Sequence, residues 1–298
     1  MSNVCFVRVA VLRVEQVWIQ CNSIRLRGEL WVPDVVPAPA ILICHGMDVR
    51  GFRGLGIYSR LAEEACSAGF VCLLFDFRGV GDSLGVFDYG FGEQEDVKCV
   101  LGYLVSRSEV DLNSVFVVGH SLGGAVSLYA LRGESRVRGL VLWSVPKNHD
   151  YNVRKFIKRT HGTVGLFAFL MLARLDRIFG VSWFYRLEVY GIALRPRYVM
   201  EKLMKLDECE AASKLLDIPV MIMIGRSDVV VGVDEAEDVY GSANEPKALT
   251  IIESADHVYR GKEPELIRKT LDWIKTLKQR KSQQNHASEN ALARNSVE

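Results

Sequence analysis

Short runs of aliphatic and β-branched residues alternate with helix-length segments through most of this chain, and that rhythm admits few folds. Residues 14–20 and 24–32 read as a starting hairpin across a polar turn. Runs at 40–44, 70–75, 115–118, 140–145, 220–224 and 249–252 follow. These later runs lack polar alternation, the pattern of strands buried on both faces of a parallel sheet. Between them, 58–68, 94–105, 122–131, 235–240 and 264–277 carry helical patterns. Repeated strand–helix units predict an α/β fold, a mostly parallel central sheet with helices on both faces.

One stretch breaks the rhythm. Residues 146–216 contain no buried-strand run; they hold a basic segment at Arg154, Lys155, Lys158 and Arg159, an apolar segment at 167–172, and an aromatic cluster at Trp183, Phe184 and Tyr185. This reads as a mainly helical insertion in a core formed by 1–145 and 217–278. From 279 to 298 the chain is polar and aperiodic, which predicts a disordered tail.

Composition narrows the partners. With 37 basic and 36 acidic side chains and a formal net charge of +1, nothing favours nucleic acid or an anionic membrane. Arg8, Arg13 and Glu15 interrupt the apolar N-terminus, so no secretory signal is expected. The most apolar later window, 164–173, is shorter than the roughly 20 residues a bilayer span takes. These readings predict a cytoplasmic protein, and they are compatible with a homodimer. The seven cysteines show no CxxC pair and no zinc spacing. Free thiols in a reducing compartment are expected, with no metal and no organic cofactor.

Gly119-His120-Ser121-Leu122-Gly123 is a GxSxG pattern. Alone it is weak. Here an apolar strand run precedes it and a glycine-rich helix start follows, the context in which small residues let a sharp turn lift a serine hydroxyl clear of a sheet. Such a serine needs a base, and the base needs an orienting carboxylate, in the chain order Ser, acid, His. His257 follows the last strand run, whereas His149 and His161 fall in the insertion and His286 in the tail. Asp228 follows the 220–224 strand. Asp234 is its rival but also suits a helix cap, and Asp256 reads as structural. The N–H groups of Leu122 and Met47 are the expected oxyanion donors. His45 is expected to support its loop, and His120 to pack in the elbow. His45 and Gly46 also enter the candidate substrate-binding set, with Phe167, Trp183 and Phe184 of the insertion.

Taken together, His45-Gly46-Met47, Asp76-Phe77-Arg78-Gly79-Val80-Gly81-Asp82-Ser83, Gly119 to Gly124, Gly225-Arg226-Ser227-Asp228 and Ser254-Ala255-Asp256-His257 closely resemble the α/β-hydrolase family, in its carboxylesterase and serine-aminopeptidase-like branch. The resemblance spans about 14–278. It implies an acyl-enzyme mechanism on small ester substrates, with the insertion as a cap. It also implies that the 76–83 segment is a structural turn. Family members often place a proline soon after the acid, where this chain reads Val229-Val230-Val231-Gly232. Aminopeptidase, thioesterase, acylglycerol lipase and acyltransferase activities stay open on the same three residues, as does a low-turnover ligand receptor.

Overall fold

A computed structural model describes residues 13–180 and 187–295. The chain opens with β1 (Arg13–Cys21) and β2 (Ile24–Val32), an antiparallel hairpin. It continues through β3 (Ala38–Cys44), α1 (Ile57–Ser67), β4 (Val71–Phe75), α2 (Gly92–Val105), β5 (Val110–His120), α3 (Leu122–Ala130) and β6 (Val137–Trp143). Next come α4 (His149–Phe179), β7 (Leu187–Val189), β8 (Ile192–Leu194), α5 (Pro196–Glu201) and α6 (Glu208–Ser213). The core then resumes with β9 (Val220–Gly225), α7 (Val233–Ser242), β10 (Lys247–Ile252) and α8 (Glu263–Asn295).

The main sheet has the order β1-β2-β4-β3-β5-β6-β9-β10. β2 pairs antiparallel with β4, and every later neighbour is parallel. Period-two alternation sends successive side chains to opposite faces. Ile41, Ile43, Phe116 and Val118 meet α1 and α8 residues such as Leu61, Leu266 and Ile274 on one side. Leu42, Val117 and Leu140 meet Val97 of α2, Val126 of α3 and Val239 of α7 on the other. From β3 the chain steps outward to β4, then returns across β3 to β5 and continues the opposite way. That reversal opens a crevice at the carboxyl ends of β3 and β5, where open α/β sheets bind ligands.

Three expectations need correction. The insertion contains a two-stranded hairpin, β7–β8; strands of three residues are too short to register as apolar runs. The segment after 279 does not leave the helix, because α8 continues to Asn295. Residues 279–295 hold three Gln, three Ala and two Arg and have no Gly or Pro, so the stretch extends an existing helix at low cost. Finally, Cys21 and Cys99 form a disulfide across 78 residues. The end of β1 lies against α2, a proximity that sequence spacing does not reveal. Cys44, Cys66, Cys72 and Cys209 are free as expected, and Cys5 lies outside the described residues. Among the described residues, no helix is long and apolar enough to cross a membrane, and no cluster of potential metal ligands occurs.

Candidate active site

β5 ends at His120 and α3 starts at Leu122, so the whole turn falls on Ser121, with φ 50° and ψ −119°. A residue with a Cβ seldom takes that conformation, and the surroundings must hold it. The flanking glycines make the turn sterically possible. A Cβ on Gly119 would lie 2.5 Å from Gly124 Cα, and one on Gly123 would lie 2.3 Å from the His45 carbonyl oxygen. Both obstacles are backbone and cannot swing aside. Gly123→Ala is therefore expected to cost about 2–4 kcal/mol of stability. Urea denaturation measures it, and parental stability would contradict so close an approach.

Loops from three other strands converge on Ser121. His257, on the loop after β10, places Nε2 3.2 Å from Ser121 Oγ and Nδ1 2.8 Å from Asp228 Oδ2. Asp228 stands just past β9. Its second oxygen, Oδ1, accepts the N–H groups of Val230 and Val231, each at 2.9 Å. Burial alone would raise the Asp228 carboxyl. The hydrogen bond and charge of His257, with the Val231 N–H, outweigh it and hold the group below its ordinary value. Asp234 instead sits in the first turn of α7. Asp256 accepts the N–H groups of Val258 and Arg260, a structural role.

The loop after β3 brings Gly46 and Met47 against the elbow. Met47, Ser121, Leu122 and His257 share one cavity of about 90 Å³. Gly46, Met47, Tyr58, His120, Ser121 and His257 border a second of about 30 Å³. Neither the Met47 nor the Leu122 N–H donates to a protein acceptor among the described residues.

Beneath the elbow runs a hydrogen-bonded line not apparent in the sequence. The Gly46 N–H donates to the Tyr58 hydroxyl at 2.9 Å, that hydroxyl donates to His120 Nδ1 at 2.6 Å, and His120 Nε2–H donates to the His257 carbonyl at 2.9 Å. It ties the Gly46–Met47 loop to the backbone of His257. Sequence reading placed His120 as a packed elbow residue, which it is, but gave no role to Tyr58, which lies in an ordinary helical pattern.

Burial, reinforced by nearby His257, pushes the His120 imidazole down to about 3 from its ordinary 6.5. The unfolded chain takes up that proton near 6.5, while the folded ring stays neutral. The stability it contributes is complete above 6.5 and is lost as pH falls toward 3, at about 1.4 kcal/mol per pH unit. Between pH 6.5 and 4.5 the parent is therefore expected to lose stability more steeply than His120→Gln. Urea denaturation of both proteins at pH 7, 5.5 and 4.5 checks it, and parallel profiles would contradict it.

His45 does not reach the substrate space. Its Nδ1–H donates to the Gly46 carbonyl at 2.6 Å and its Nε2 accepts the Phe77 N–H at 3.1 Å, so both ring nitrogens are spent on the loop. Burial lowers its pKa to about 4. Phe167 is also corrected: it is 68% exposed and borders neither cavity. Trp183 and Phe184 lie outside the described residues. The insertion reaches the site through other residues, among them His149, Phe156, Tyr190 and Leu194. Tyr190, at the tip of the β7–β8 hairpin, borders both cavities, and its carbonyl accepts the Val49 N–H at 3.0 Å. In the sequence the turn-forming Gly191, at φ 79°, marks its position.

The Asp76–Ser83 segment is structural. Buried Asp76 accepts the N–H groups of Phe52 and Asp82 at 3.0 Å each, and Ser83 Oγ donates to the Asp76 carbonyl at 2.6 Å.

The model of the family described as serine aminopeptidase, S33, matches residues 36–264. The chain belongs to that family. It has the α/β-hydrolase fold, shared with Est1E of Butyrivibrio proteoclasticus solved with ferulic acid bound (TM-score 0.67, 18% identity, 88% of this chain and 98% of that one). The esterase Pf2001 of Pyrococcus furiosus aligns similarly (TM-score 0.64, 21% identity, 89% and 91%). In sequence, this hydrolase is 30% identical over 125 residues to the quorum-quenching protein AidA of Acinetobacter baumannii, covering 40% of each chain. It is 33% identical over 113 residues to the lysophosphatidylserine lipase ABHD12 of Gallus gallus, covering 37% of this chain and 28% of that protein. The matched stretches thus span less than half the length of either relative.

Proposed function

We propose that this hydrolase cleaves carboxylic esters through an acyl-enzyme on Ser121. The observation that carries the reading is the continuous line Asp228–His257–Ser121 at a strained elbow. His257 Nε2 takes the hydroxyl proton as Ser121 Oγ bonds to the carbonyl carbon. Asp228 keeps the other proton on Nδ1 and stabilises the imidazolium. The Met47 and Leu122 N–H groups receive the developing oxyanion. The ester C–O bond breaks as His257 protonates the leaving alcohol. Water then repeats the sequence and frees the acid.

Residues 146–216 act as a cap over this site, since they supply most of the larger cavity's wall. That wall is largely apolar, with Phe156, Val189, Leu194, Val199 and Leu203 from the cap. Among the described residues that wall offers no carboxylate to hold a free amino terminus, and Asp48 at the smaller cavity is paired with Arg50, which favours an ester over a short peptide. The similarity to a lipase and the fold shared with esterases support the same choice. Turnover of p-nitrophenyl butyrate, a butyryl thioester, monobutyrin and alanine p-nitroanilide tests it. The esters are expected to exceed the anilide at least about a hundredfold in kcat/KM. Cleavage of the anilide with the esters untouched would overturn the reading.

A further inference from the structure

A second histidine–carboxylate pair stands in the wall of the same cavity, 59 residues apart in sequence. His149, first residue of α4, borders the cavity beside Ser121, and its Nδ1 lies 2.7 Å from Glu208 Oε1. Glu208 is fully buried, and its other oxygen has no partner among the described residues. Nothing in the helix ends requires the pair. The His149 backbone N–H already donates to the Leu206 carbonyl at 2.9 Å. Asn148 caps α4 through the Tyr151 N–H at 2.7 Å, and Asp207 caps α6 through the Glu210 N–H at 2.9 Å. A buried ionisable pair is seldom the most stabilising filling for such a space; apolar residues often serve as well or better. Its return is a fixed ring. With Nδ1 held by the carboxylate, Nε2 has no hydrogen-bond partner among the described residues, in a wall that is otherwise mostly apolar.

We infer that His149 Nε2 is a specificity-determining contact that binds a hydroxyl group carried by the ester substrate. A hydroxyl both donates and accepts, so it satisfies Nε2 whether the ring is neutral or protonated. A methyl group in the same place leaves Nε2 without a partner. The inference rests on the ester-hydrolase reading of the site and adds the substrate class: hydroxylated esters, with the hydroxyl close to the scissile bond.

The test uses isosteric pairs in which hydroxyl replaces methyl. For the alcohol half these are 2-hydroxyethyl butyrate and propyl butyrate; for the acyl half, methyl 3-hydroxybutanoate and methyl 3-methylbutanoate. The parent is expected to prefer the hydroxylated member of at least one pair. His149→Phe is expected to shift that kcat/KM ratio about tenfold toward the methyl member. Glu208→Gln, which preserves shape but frees the ring, is expected to shift the ratio the same way. It also decides the question if His149→Phe does not fold. A purely structural pair would lower both members of every pair by the same factor, and that result, or a parent with no hydroxyl preference, overturns the inference. Failure of the parent to hydrolyse any of the four esters would instead overturn the ester-hydrolase reading itself.

Discussion

Ser121→Ala is expected to lower kcat for p-nitrophenyl butyrate by about ten-thousand-fold or more, leaving a residue of activity from the remaining donors and binding surface. The size follows from the role. Removing Oγ removes the hydroxyl oxygen that stands 3.2 Å from His257 Nε2 and would form the acyl bond. The fold is expected to survive, because the close backbone approaches that Gly119 and Gly123 permit do not involve the hydroxyl. Steady-state hydrolysis and a thermal melt of the same preparation separate the two effects. A variant within tenfold of the parent would remove Ser121 from the chemistry.

The second large effect belongs to Asp228→Asn, for which kcat is expected to fall about ten-thousand-fold at little cost in folding. The reason lies in what each oxygen does. Oδ1 accepts two backbone N–H groups, and Oδ2 accepts His257 Nδ1–H. An amide has one acceptor. Kept on Val230 and Val231, it turns its NH₂ toward His257. The ring must then accept at Nδ1 and carry its proton on Nε2, where it cannot take one from Ser121. KM for p-nitrophenyl butyrate is expected to change little, since Asp228 does not border either cavity. A fall of less than tenfold in kcat would mean that another acid serves His257.

Much of this was legible in the sequence, for physical reasons. The strand runs were visible because strands covered on both faces must be continuously apolar, as Ala38–Cys44 and Val220–Gly225 are. Ser121, Asp228 and His257 were legible because a sheet of this topology delivers residues at strand ends to one crevice, so chain order and strand position alone nominate them. What stayed hidden depends on side-chain direction or on contacts between distant segments. His45 flanks Gly46, yet its ring turns into the loop to satisfy Phe77 and Gly46. Phe167 looked like a cavity residue by its hydrophobicity, but its position on α4 points it to solvent. The Cys21–Cys99 bond and the His149–Glu208 pair join residues whose proximity only the fold creates. Tyr190 is not legible from sequence because the strands that flank it are three residues each.

The role of Ser121 as nucleophile of an ester hydrolase is tested most directly by titrating the protein with a fluorophosphonate, measuring p-nitrophenyl butyrate hydrolysis and mapping the modified peptide at each step. The expected result is a loss of activity in proportion to the fraction labelled, reaching completion at one label per chain, all of it on Ser121. Activity that persists with Ser121 fully labelled, or a label that abolishes activity from another residue, would contradict it.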